Sequence, residues 1–127
     1  MNDDAMRALA ARFFDAIERG DVATIRETYA PDAVIWHNTD QVAGTREENL
    51  AVLTAFIGRI TERRYEDRQV DVFPGGFVQR HVLTGRRRDG QRLRLHACLV
   101  CSVANGHITR LDEYFDSVAV APWRVIC

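Results

Sequence analysis

The chain contains only 3 cysteines and 3 prolines in 127 residues, and no run of apolar residues approaches the roughly 20 that a membrane-spanning helix needs. A helical membrane span is excluded on that ground. An odd number of cysteines fits a reducing compartment better than a disulfide framework. Neither charge sign dominates: 17 basic residues face 18 acidic ones, for a formal net charge of −1, so there is no general attraction to nucleic acid or to anionic lipid. Met1-Asn2-Asp3-Asp4 is acidic where a secretory leader is basic, and a cytoplasmic protein is expected. Repeats, linkers and low-complexity segments are missing as well. The length permits one core and not two, so a single domain over residues 1–127 is expected.

What the chain does have is a change of period. Asn2, Asp3 or Asp4 is placed to cap a helix whose apolar positions Met6, Leu9, Ala10, Phe13 and Ile17 recur at helical spacing as far as Gly20. Asp21 caps a short second helix through Tyr29, which Pro31 ends, and Ala33 to His37 reads as a brief strand. Thr45 with Glu48 forms a capping box for a third helix carrying Leu50, Leu53, Phe56, Ile57 and Ile60. From Arg63 the apolar period falls from about 3.6 to 2. Strands are expected over 65–73, 77–86, 92–103 and 108–116, joined by Pro74-Gly75-Gly76, Arg88-Asp89-Gly90 and Asn105-Gly106 turns. Helices followed by an antiparallel meander predict an α+β fold, with the curved sheet packed on three N-terminal helices.

The last strand sets the functional question. Alternation places Leu111, Glu113 and Phe115 on one face and Arg110, Asp112, Tyr114 and Asp116 on the other. A carboxylate facing an apolar interior is costly unless it is paired, so Glu113 is either structurally satisfied or kept for chemistry.

The segments Phe13-Phe14-Asp15-Ala16-Ile17-Glu18-Arg19-Gly20-Asp21, Tyr29-Ala30-Pro31-Asp32-Ala33-Val34 and Gly106-His107-Ile108-Thr109-Arg110-Leu111-Asp112-Glu113-Tyr114-Phe115-Asp116 resemble the nuclear transport factor 2-like superfamily, and within it the SnoaL-like group. The resemblance implies a cone-shaped α+β barrel with an apolar pocket between a curved sheet and three helices. It also implies membership among polyketide cyclases, ketosteroid isomerases, limonene epoxide hydrolases and dehydratases, or among members that only bind or dimerise. By analogy with the ketosteroid isomerases, the general base falls on His37, while the oxyanion donors fall on Phe13 and at or beside Leu99, neither of which donates. By analogy with the limonene epoxide hydrolases, the arginine falls on Arg80, the strand-end acid on Glu113 and the water-holding asparagine on His37, while the second aspartate falls on Val82 and the tyrosine on Ile35. The acid-base aspartate of the SnoaL-like cyclases also falls on Glu113.

Strand parity and family position together nominate His37, Glu113 and Arg80 as a catalytic set, lined by Phe13, Ile35, Val82, Leu95, Ala97, Leu99, Leu111 and Phe115. A carboxylate beside an arginine stays ionised, and an imidazole exchanges protons near neutral pH. Such a site would act without metal or cofactor on a small apolar oxygenated metabolite of polyketide, steroid-like or terpenoid kind. Two alternatives stand beside it: Glu113 and Arg80 as a buried structural pair, and the whole domain as a non-catalytic binding or dimerisation module. Cys98 and Cys101 lie three apart in a strand, which sends their sulfurs to opposite faces and argues against a redox or zinc motif. The same parity points His96, Cys98, Val100 and Ser102 outward as a mixed surface suited to a homodimer. The apolar tail Ala121 to Cys127 is expected to fold over the pocket mouth or a partner subunit.

Overall fold

Each helix begins where a side chain is available to accept its free N–H groups. In the computed structural model, which describes all 127 residues, α1 spans Asp3–Arg19, and Asn2 accepts from the Ala5 amide at 2.7 Å. The helix ends at Gly20, whose φ of 73° is open to glycine and costly for residues with a Cβ. Asp21 caps α2 (Val22–Thr28) through Thr24. Thr45 and Glu48 exchange both bonds of the expected capping box at the start of α3 (Arg46–Arg59). One arginine closes two helices: Arg63 donates to the carbonyls of Ile17 and Glu18 at the end of α1 and to those of Ile57 and Ile60 at the end of α3.

The strands are β1 (Tyr29–His37), β2 (Ala43–Thr45), β3 (Thr61–Phe73), β4 (Gly76–Arg86), β5 (Arg92–Ala104) and β6 (His107–Phe115). They form one sheet in the order β2-β1-β6-β5-β4-β3. The α+β fold is as expected, with one correction. The sheet is mixed, because β1 runs parallel to β6 while every other neighbour is antiparallel. β1 is also longer than its sequence signal, and its ladder with β6 is irregular between Tyr29 and Val34, where Pro31 has no N–H to give. In β3 the ladder slips twice, beside Glu62 and Asp67, both at positive φ. Such bulges bend a strand and sharpen its twist, and they help curl the open sheet over the helices.

The main core lies between α1, α2, α3 and the inner face of the sheet. Phe13, Phe14, Tyr29, Ile25, Phe77, Cys101 and Ile108 are fully buried there, and Phe13 meets Phe14 and Tyr29 edge-on at 4.9 and 5.3 Å. Arg68 of β3 ties α1 to the sheet by pairing with Asp15 at 2.7 Å and Glu18 at 3.0 Å. A smaller cluster gathers Ile60, Leu83, Leu93, Leu95, Val120 and Trp123. It seats α4 (Ser117–Val120) and a following turn of 3₁₀ helix (Ala121–Arg124). Gly85 permits this seating: a Cβ there would stand 2.5 Å from Ile60 and 3.0 Å from the Trp123 ring. No helix is long and apolar enough to cross a membrane.

Candidate functional site

Register decides which side chains face the helices. Across β4, β5 and β6, Gln79 stands opposite Leu99 and Leu99 opposite Glu113, while His81 stands opposite Ala97 and Ala97 opposite Phe115. Directly opposed residues share a face. Leu95, Leu99, Leu111, Glu113 and Phe115 therefore line the interior as expected, and with Phe13 they wall a cavity of about 250 Å³. Ile35 is buried in the adjoining core and does not reach the cavity.

Three more expected pocket residues are elsewhere. Arg80 and Val82 stand opposite Cys98 and His96 on the outer face, and Arg80 bonds Gln69 there. Ala97 keeps the inner parity but, like His81, lines a separate hollow with Arg80, Val82 and Tyr114 rather than the cavity. The reason is the content of β4: Val78 and Val82 face outward while polar Gln79 and His81 face inward, so hydrophobic alternation there reads in the wrong phase. Glu113 has no arginine partner, and the Arg80–Glu113 structural pair does not form.

Glu113 meets His37 instead. The two are Cα partners in the parallel β1–β6 ladder, with His37 Nε2 at 3.1 Å from Glu113 Oε1. Asn38 holds this corner. Its backbone N–H donates to the Glu113 carbonyl at 3.0 Å, its side-chain amide donates to the Phe115 carbonyl at 3.0 Å, and its side-chain oxygen accepts from the Phe115 N–H at 3.1 Å. Burial opposes the imidazolium of His37. The Glu113 hydrogen bond and charge outweigh it, Asp40 adds to them, and the pKa rises from its ordinary 6.5. With Nε2–H donated to the carboxylate, Nδ1 carries the free lone pair. This is an oriented imidazole able to take or return a proton near neutral pH. The chain has no lysine, so no side-chain amine is available for covalent catalysis through a Schiff base.

A second polar layer lies deeper, and alternation gave no signal for it. His81 is 4% exposed, packed edge-on between Tyr65 at 4.7 Å and Phe14 at 5.2 Å. Its Nδ1 is 2.9 Å from the Gln79 amide nitrogen. Burial lowers its pKa to about 4, despite the opposing field of Glu113. Tyr29 donates to the Asn49 side-chain oxygen at 2.9 Å on the cavity wall, and burial pushes the Tyr29 and Tyr65 phenols upward so that both stay protonated. Most of the other residues that sequence reasoning missed come from α3 and the C-terminal segment: Val52, Leu53, Phe56 and Arg59, with Val120, Trp123 and Arg124. Of the tail 121–127, expected to fold over the pocket mouth or a partner subunit, Trp123 and Arg124 line the cavity.

Nowhere do three His, Cys, Asp or Glu side chains gather as a metal site would require. Cys101 is buried inside, while Cys98 borders the separate hollow, so the sulfurs diverge.

Solved structures share this fold. A proposed polyketide cyclase from Xanthomonas campestris pv. campestris superposes with a TM-score of 0.81 at 20% identity, covering 91% of this chain and 93% of that one. IdmH from Streptomyces antibioticus, also a proposed polyketide cyclase, gives 0.81 at 20% identity over 92% and 96% of the two chains. An epoxide hydrolase from M. tuberculosis, described as like the limonene enzyme, gives 0.75 at 19% identity over 94% and 88%. No curated protein matches the sequence. The SnoaL-like domain family matches residues 10–111, and with that match over most of its length the chain belongs to the SnoaL-like family.

Proposed function

We propose that the protein is a cofactor-independent acid-base enzyme acting on a small, largely apolar, oxygenated metabolite. The observation that carries this reading is the His37–Glu113 contact of 3.1 Å on the wall of an apolar cavity. His37 is the general acid/base. Neutral, it removes a proton from a carbon beside a carbonyl or from a water, and as imidazolium it returns a proton to the product. Glu113 orients the ring and stabilises the imidazolium as it forms. The names of the structural neighbours, polyketide cyclase and epoxide hydrolase, support proton-transfer chemistry of this kind.

The test follows solvent deuterium. A panel of β-keto esters, enones and terpene-type epoxides is incubated in D2O with wild-type protein and with His37→Ala and Glu113→Gln, and exchange or turnover is read by NMR. The expected result is activity on one compound class, with His37→Ala slower by about 100-fold and its melting temperature little changed. Undiminished activity in both variants would overturn the roles.

We further propose that the molecule pairs with a second copy through the outer sheet face, where His96, Cys98, Val100 and Tyr114 form a weakly polar surface and Tyr114 is 44% exposed. Sedimentation equilibrium at micromolar concentration is expected to give twice the 14.5 kDa chain mass, and a clean monomer would refute it.

A further inference from the structure

The cavity has a second chemical end. Another part of its wall is formed by the last turn of α3, with Phe56 and Arg59, and by the 3₁₀ turn, with Trp123 and with Arg124 reaching toward the His37 corner. The polar groups these two elements present are all donors. Arg59 makes no ion pair and no hydrogen bond, and its Nε is buried without a partner. Trp123 is 4% exposed, and its indole N–H is buried without an acceptor. Arg124 donates only to the Thr39 hydroxyl, at 3.2 Å.

A guanidinium in the last turn of a helix ordinarily serves the helix's own C-terminal carbonyls. Arg59 has no such work left. The Ile57 and Ile60 carbonyls are taken by Arg63 and the Gly58 carbonyl by Arg88. The carboxylates on the cavity wall, Glu113 and Asp40, belong to the β1–β6 corner, where Glu113 bonds His37 and Asp40 adds to the field on its imidazole. A half-buried cation and a buried N–H without acceptors are costly to keep unless something supplies the acceptor.

We propose that this end of the cavity binds an acidic oxygen group of the ligand, and that the ligand is an apolar molecule carrying a carboxylate. Arg59 is the anchor, its planar fork suited to two carboxylate oxygens. Trp123 and Arg124 supply further donors, and the hydrocarbon body lies along Phe56, Leu95 and Phe13 toward His37. The assignment rests on reading the cavity as the active site and adds the substrate class to it.

The test uses a matched pair of probes, 2-naphthoate and the neutral, nearly isosteric 2-naphthamide, titrated into wild-type protein at low ionic strength by calorimetry. Arginine Nε–H and tryptophan indole resonances are followed by NMR. Naphthoate is expected to bind at least tenfold more tightly than the amide and to move the Trp123 indole signal. Arg59→Met is expected to abolish the preference while leaving amide affinity unchanged, and Arg59→Lys to restore part of it. Equal affinity for the two probes, absence of saturable naphthoate binding, or equal losses for both probes in Arg59→Met would each overturn the assignment. His37→Ala separates this inference from the acid-base reading: it is expected to keep the naphthoate preference even where proton exchange is lost. If deuterium exchange in the panel fails while the preference holds, the catalytic reading falls and the anchor stands.

Discussion

His37 and His81 both face the inside of one sheet and both lie in the field of Glu113, yet they are pushed in opposite directions. His37 sits at the β1–β6 corner with a carboxylate in hydrogen-bond contact and a view of the cavity. His81 sits at the centre of the sheet between two aromatic rings, with only the Gln79 amide beside it. The difference teaches that burial alone makes a histidine inert, and that one direct carboxylate contact is enough to reverse it. The two regions also differ in what they favour: the His37 corner favours the imidazolium, whereas the His81 environment favours the neutral, packed ring.

The largest effect should come from destroying the environment of the inert histidine. Phe14→Ala is expected to cost about 3–5 kcal/mol, as for other buried phenylalanines, and to raise the His81 pKa as water enters. Urea unfolding with NMR titration checks both, and an unchanged His81 titration would mean that the ring does not exclude water.

Acid is the next lever. His81 has a folded pKa lowered to about 4 from 6.5, so the unfolded chain binds its proton first. Its contribution is full above pH 6.5 and is lost as pH falls toward 4, a loss of about 3 kcal/mol by linkage. His37 has the opposite sign. Its folded pKa is raised, so its contribution is full below pH 6.5 and fades as pH climbs through the folded value. Stability is therefore expected to peak near pH 6.5. The lowered carboxyls of Asp21, Glu47 and Asp89 lose their contribution only around and below pH 4, leaving the window above it to the histidines. A melting temperature that is flat from pH 6.5 to 4.5 would contradict the neutral His81.

Asn38→Ala removes two side-chain bonds across the β1–β6 corner and is expected to cost about 1–3 kcal/mol, with His37 and Glu113 loosened together. The smallest change sharpens the comparison most. Glu113→Gln should lower both histidine pKa values, His37 far more than His81, because only His37 loses a direct contact. Ring carbon shifts against pH would show this, and equal shifts would remove the basis for assigning His37 the reactive role.

Much of the architecture was legible because its signals are local. Caps at Asn2, Asp21 and Thr45, the Asn105-Gly106 turn and the switch of period each depend on a few adjacent residues. The placing of Glu113 inside followed from the alternation in β6, where Leu111 and Phe115 are unambiguous. β4 offered no such clarity, because Gln79 and His81 are buried polar residues while Val82 lies on the outer face, and the phase error carried Arg80 into the site. The mixed sheet was hidden for another reason. A parallel pairing between β1 and β6 joins segments far apart in sequence, and no short pattern in either strand names its partner. Arg59 was missed, and Trp123 was marked only as part of the tail, because both reach the cavity from helix ends, where periodicity carries little information.

The β1–β6 seam also governs when the site exists. Asn38 and Phe115 lie 77 residues apart, whereas β3 to β6 form consecutive hairpins whose loops close early and cheaply. The same seam, opened locally without global unfolding, would separate His37 from Glu113 while the main core stayed shut. Amide protection at Asn38 and Phe115 is therefore a direct gauge of how much of the folded population holds the His37–Glu113 contact at any moment.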